Sequence, residues 1–174
     1  MTSDQPPGPF AESLDADHVE AIDHVGVATA DLDATVAFYR DAFGLVEVHR
    51  EENPDQQVVE AMLAPAAAGT AAAGTTGSGA VGRPTMIQVL APLSIDSPIG
   101  RFLDRSGPGL QQLALRVTDL EALSRRLRER GLRLLYDRPR TGTGGCMINF
   151  VHPTDAGGVL IELVEDLPAD PRRN

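Results

Sequence analysis

A chain of 174 residues with 42% hydrophobic side chains can bury a core of ordinary size, though one built from aliphatic residues, since aromatics make up 4% and Trp is absent. Its formal charge of −10 excludes a nucleic-acid binder of the usual kind, which needs a basic face to displace counterions from phosphates. All fifteen basic residues are Arg, so Schiff-base chemistry on a lysine and the phosphate-cradling lysine of a P-loop are excluded as well.

Residues 1–19 are acidic and Pro-rich and read as a disordered tail. The alternation in Ala21–Thr29 predicts a strand. Asp31 then suits the N-cap of a helix carrying Leu32, Val36, Phe38, Tyr39 and Phe43 at helical spacing, and Gly44 suits its C-terminal stop. Strands are expected over Leu45–Glu51 and Gln57–Leu63, joined by a turn at Glu52-Asn53-Pro54-Asp55. The Ala/Gly/Thr/Ser-rich segment at 66–83 reads as a flexible loop before a fourth strand, Met86–Ala91. A connector over 94–109 holds a short helix, Pro98–Arg105.

The order then repeats. A strand at Leu110–Val117 precedes a helix at Asp119–Arg130, ended by Gly131, and strands at Arg133–Tyr136, Met147–Val151 and Val159–Val164 follow before a polar tail at 167–174. His24 stands seven residues before Asp31-Leu32-Asp33-Ala34, and Gln112 stands seven before Asp119-Leu120-Glu121-Ala122. Ile87-Gln88-Val89 likewise matches Ile161-Glu162-Leu163. The expected fold is therefore α+β: two tandem βαβββ modules, 20–93 and 110–166, forming one shared open-barrel cavity, because each sheet alone would leave a face uncovered.

Alternation also selects the side chains for that cavity. Val25 and Val27, Leu113, Leu115 and Val117, Ile87 and Val89, and Ile161 and Leu163 are assigned to the helix side, which turns His24, Gln112, Gln88 and Glu162 inward. Four repeat-related polar groups on a buried face suit a divalent ion such as Co, Mn, Ni, Zn or Mg. A hydrogen-bonded network bridging two sheets would satisfy them too. Glu60 shares the inward parity of Val58 and Met62, where apolar neighbours would raise the pKa of a carboxylate; an exposed edge-strand position is the alternative.

The segments Ile22-Asp23-His24-Val25-Gly26-Val27-Ala28, His49-Arg50-Glu51-Glu52-Asn53-Pro54, Val58-Val59-Glu60, Leu134-Leu135-Tyr136-Asp137 with Gly142-Thr143-Gly144-Gly145, and Gly158-Val159-Leu160-Ile161-Glu162-Leu163 resemble the methylmalonyl-CoA epimerases of the vicinal oxygen chelate superfamily, also called the glyoxalase–bleomycin resistance superfamily. The resemblance implies metal ligation by His24, Gln88 and Glu162, with Glu60 and Glu162 as the two catalytic acid/bases and an acyl-CoA as substrate. It also implies a homodimer. The fourth ligand of the family is a histidine, and Gln112 occupies its place here. The implied reaction is metal-assisted epimerisation of methylmalonyl-CoA or a related 2-alkylmalonyl-CoA. Another enolisation by the same carboxylate pair, or ligand binding without turnover, are the alternatives.

The remaining motifs are weaker. Arg125, Arg126, Arg128, Arg130 and Arg133 could meet CoA phosphates or form a solvated helix face. Gly142 to Gly145 could cover a substrate, and Cys146 is expected to be buried and inert. With a single Cys, no signal-peptide pattern and no apolar stretch long enough for a bilayer, the expected setting is cytoplasmic, away from membranes.

Overall fold

The computed structural model describes residues 18–66 and 83–166. The expected tails and the 66–83 loop therefore lie almost wholly outside the described residues. The fold is α+β, with eight strands: β1 (Val19–Ala28), β2 (Leu45–Asn53), β3 (Val58–Pro65), β4 (Met86–Pro92), β5 (Gly109–Val117), β6 (Arg140–Thr141), β7 (Met147–Val151) and β8 (Leu160–Glu165). The helices are α1 (Leu32–Phe43), α2 (Pro98–Ser106) and α3 (Leu120–Glu129). None of the described helices is long and apolar enough to cross a membrane. The chain divides into two compact units, Ile22–Ala114 and Met1–Ala21 with Leu115–Asn174.

In the first unit the strand order is β2-β3-β4-β1, with the start of β5 beside β1. β2, β3 and β4 are antiparallel neighbours, while β4 and β1 run parallel, Gly26 standing opposite Gln88. Helix α1 begins where Asp31 accepts the amide of Ala34, and it ends at Gly44 in the left-handed region (φ 68°). Its Leu32 and Val36 pack on Ala61, Leu63, Val89 and Ala91, with Ile87 alongside. These are alternate positions of β3 and β4, so one face of the sheet is a helix-covered aliphatic core. On the opposite face Ala28, Val58 and Leu90 pack against Ile99, Phe102 and Leu103 of α2. Ser97, wholly buried, caps α2 by accepting the amide of Gly100.

In the second unit the C-terminal part of β5 is followed in order by β8, β7 and β6. Val117, Leu120, Leu123, Val151 and Leu163 form its core, flanked by Leu115 and Ile161 as the alternation requires. Asp119 caps α3 on Ala122, and the Glu165 carboxylate accepts from the amides of Asp119 and Leu120, so both acids sit at the positive end of the helix.

Several boundaries differ from expectation. Val19, assigned to the tail, opens β1, and the neighbouring His18 ring meets the Thr118 carbonyl and Arg126. The β2–β3 turn falls two residues later, at 54–57, because Asn53 accepts the Gln56 amide and Gln57 takes a positive φ of 55°. Phe38 and Phe43 are exposed, packing edge-to-face on α1 rather than into the core. Arg133–Tyr136 is not a strand: it makes one bridge, Leu134 to Val151, and the short strand beside β7 is Arg140–Thr141. The cause is Asn149, wholly buried on β7, whose side-chain oxygen accepts the Tyr136 amide and whose NH2 group donates to the Tyr136 carbonyl, replacing ladder bonds.

Candidate functional site

In the first unit His24, Glu60, Gln88 and Gln112 are all buried. Strand register explains the grouping. Gln88 stands opposite Met62 across the antiparallel β3–β4 pair, so Glu60, two residues along on the same face, lies diagonally within reach of a long side chain. The Gln88 Nε2 donates to Glu60 Oε2 at 2.9 Å, and Gln112 Nε2 donates to Gln88 Oε1 at 3.2 Å. Two amides thus run in series onto one carboxylate. The surface edge-strand alternative for Glu60 is corrected by its exposure of 1%.

Gly26 makes the arrangement possible. A Cβ on it would lie 2.5 Å from Gln112 Cγ and 3.1 Å from Gln112 Cδ. Glycine is needed there for close approach, so that the side chain of β5 can lie over the backbone of β1.

His24 is oriented by its neighbour. Its Nδ1 lies 3.0 Å from Asp23 Oδ1, and the other oxygen of Asp23 accepts from Arg83 Nη2 at 3.0 Å. Asp23 is 3% exposed, although simple alternation would turn it away from the site. Sequence reasoning assigned no role to Asp23 or Arg83. The available signal was an acid directly beside an inward histidine.

Glu162 belongs to the second unit, where it is buried on β8 opposite Phe150 of β7. The arginine cluster is largely spent on structure. Arg126 meets His18, Arg128 donates to the carbonyls of Tyr136 and Asp137, and Arg133 grips Asp155 through its backbone amide and guanidinium. That grip holds the Asp155 carboxyl well below the usual range. Gly142 to Gly145 form a tight turn, with the Gly142 amide bonded to the Cys146 carbonyl. Cys146 is partly exposed, its thiol donating to the Thr143 carbonyl.

The model of the Glyoxalase/Bleomycin resistance protein/Dioxygenase superfamily matches residues 21–163. The crystal structure of methylmalonyl-CoA epimerase from Mycobacterium tuberculosis is 48% identical, with 90% of this chain and 95% of that one covered and a TM-score of 0.75. The chain belongs to this superfamily, and within it to the methylmalonyl-CoA epimerase family. A Streptomyces coelicolor methylmalonyl-CoA epimerase variant, in complex with 2-nitronate-propionyl-CoA, is 38% identical over 86% of this chain and 99% of that one, with a TM-score of 0.75. The ethylmalonyl-CoA/methylmalonyl-CoA epimerase of Cereibacter sphaeroides is 31% identical over 144 residues, 82% of this chain and 95% of the relative.

The donor set fits a divalent ion. A ligating imidazole generally gives its second ring N–H to a carboxylate, and the His24–Asp23 pair has that form. No group of three or more His, Cys, Asp or Glu is gathered among the described residues, so amide oxygens would have to complete the coordination. Oxygen-rich sets with a single imidazole favour the harder ions.

Proposed function

We propose that this chain is a metal-assisted epimerase of methylmalonyl-CoA or a closely related 2-alkylmalonyl-CoA. The observation that carries the reading is the buried Glu60 carboxylate, held by the Gln88 amide, in a chain of this family. Inverting C2 next to a thioester carbonyl requires proton removal from one face and proton return to the other. Glu60 takes the C2 proton, the C–H electron pair moves into the enolate, and Glu162 delivers a proton to the opposite face; the reverse reaction exchanges the two roles. Gln88 restrains the rotamer of Glu60, and burial keeps water from quenching the carbanion.

His24, Gln88, Gln112 and Glu162 would hold the ion, drawn from Co, Mn, Ni, Zn or Mg. When bound, it polarises the thioester carbonyl and favours the enolate. The nitronate named in the Streptomyces complex supports this chemistry, since a nitronate has the planar carbon and anionic oxygens of an enolate. The reading carries with it an acyl-CoA partner, a homodimer and a cytoplasmic setting, the dimer being testable by sedimentation.

Solvent deuterium incorporation at C2 of methylmalonyl-CoA, with Co or Mn supplied, tests the proposal. Exchange is expected to be rapid and to fall by about 10²–10⁴-fold in Glu60→Ala. Absence of exchange with every divalent ion would reject the epimerase reading.

A further inference from the structure

We propose that Arg128, Arg138 and Arg140, gathered at Tyr136 in the second unit, bind the phosphate groups of the acyl-CoA substrate. The inference deepens the epimerase reading and rests on it for the identity of the ligand.

A chain of formal charge −10 repels a polyanion, so holding the charged end of a CoA requires a local surplus of cations. Several arginines supply none, because carboxylates already neutralise them: Arg40 by Asp41, Arg50 by Glu47 and Asp33, and Arg133 by Asp155. At Tyr136 the partners are neutral instead. Arg128 Nη2 donates to the carbonyls of Tyr136 at 2.6 Å and Asp137 at 2.9 Å. The Arg140 guanidinium lies over the Tyr136 ring, 4.1 Å from its centroid. Arg138 is exposed between them in the chain. Among the described residues none of the three is ion-paired to a carboxylate, the adjacent Asp137 included. Neutral contacts leave a guanidinium its full charge, and Arg128 keeps the donors of Nε and Nη1.

Tyr136 is a fixed support for these groups. Both of its backbone groups are bonded by the wholly buried Asn149, and its ring meets Phe150 edge to face at 5.8 Å. Phe150 is paired with Glu162 across β7 and β8, and directly paired residues point to the same face of a sheet. That face is turned away from Val151 and Leu163 of the helix-covered core. Glu162, Phe150, Tyr136 and Arg140 therefore follow one another along one side of the second unit. An acyl-CoA has the same order, with its thioester at one end, its phosphates at the other and an uncharged arm between. Guanidinium groups suit phosphate through paired N–H bonds, and one already seated on a ring loses less freedom in making them.

The test compares two substrates with the same reacting centre, methylmalonyl-CoA and methylmalonyl-pantetheine, which lacks the phosphates. Both are followed by solvent deuterium incorporation with Co supplied. In Arg138→Ala with Arg140→Ala, the ratio of kcat/KM for the CoA substrate to that for the pantetheine substrate is expected to fall by about 10–100-fold, chiefly through KM. Both side chains are exposed, so their truncation leaves the core closed. Arg138→Lys with Arg140→Lys keeps the charge and should recover part of the ratio. Adenosine 3′,5′-bisphosphate should inhibit wild-type exchange competitively against methylmalonyl-CoA. An unchanged ratio, or inhibition that is not competitive, overturns the proposal. Absence of exchange with both substrates would reject the epimerase reading instead. Calorimetry with adenosine 3′,5′-bisphosphate then still decides the phosphate site: binding is expected in wild type and about 10-fold or more weaker in the alanine double variant. Equal binding in the two, or none in wild type, overturns it.

Discussion

Replacing Gly26 by Ala is the sharpest test of how the buried amide pair is accommodated. Gly26 does not lie in the left-handed region, so alanine meets no backbone strain and the effect is steric. The new methyl would lie 2.5 Å from Gln112 Cγ and 3.3 Å from Leu90 Cδ1, and the first contact must be relieved by moving Gln112. Overpacking of this kind costs about 1–3 kcal/mol. Displacing Gln112 also breaks its bond to Gln88, worth about 1 kcal/mol. The stiffer unfolded chain returns about 0.5–1 kcal/mol. The net loss is about 2 kcal/mol, or about 4–8 °C in Tm for a chain of this size. Calorimetric melting of the two proteins measures it directly. An unchanged or higher Tm would refute the reasoning, because Gln112 would then have space that the geometry denies it.

Gln112→His should raise the affinity for Co or Zn, since imidazole is a better donor than an amide oxygen to borderline ions; calorimetry and metal analysis of purified protein would show it. Asn149→Ala should cost about 3 kcal/mol, because the Tyr136 and Phe150 amides lose their acceptor, and it should speed hydrogen exchange at both. Asp155 should remain ionised below the ordinary Asp value of about 3.9, by carboxyl ¹³C shifts. Its folded pKa is depressed by Arg133, so the pair's stabilisation is complete above the unfolded pKa and disappears as pH falls through the folded one. Arg133→Gln should raise it toward the ordinary range but not fully to it, because the backbone amide of residue 133 still donates to the carboxylate.

Alternation carried the inward assignments in the first unit because β3 and β4 have a fully apolar helix side, Ala61, Leu63, Val89 and Ala91, which leaves Glu60 and Gln88 no other face. Helix α1 was legible from its caps, which depend on residues three apart in the chain. Arg133–Tyr136 has a strand-like pattern, and Arg133 and Leu135 do bond to His152 and Phe150, but the Tyr136 backbone groups are taken over by a side chain thirteen residues away, which no local pattern encodes. Asp23 was overlooked for a related reason. Strand parity describes where a side chain leaves the backbone, whereas a carboxylate can still bend back to the ring next to it. The Arg83 contact crosses sixty positions and had no sequence signal at all.

The outer strand β2 has a bearing on how copies of the chain can meet. It slips register between Glu47 and His49, and its Arg50 is tied to Glu47 and Asp33 while His49 is tied to Glu51. A kinked border dressed in paired charges is a poor template for another strand. Assembly by prolonging this sheet from one molecule into the next is thus disfavoured, and a homodimer would have to be built on some other part of the surface.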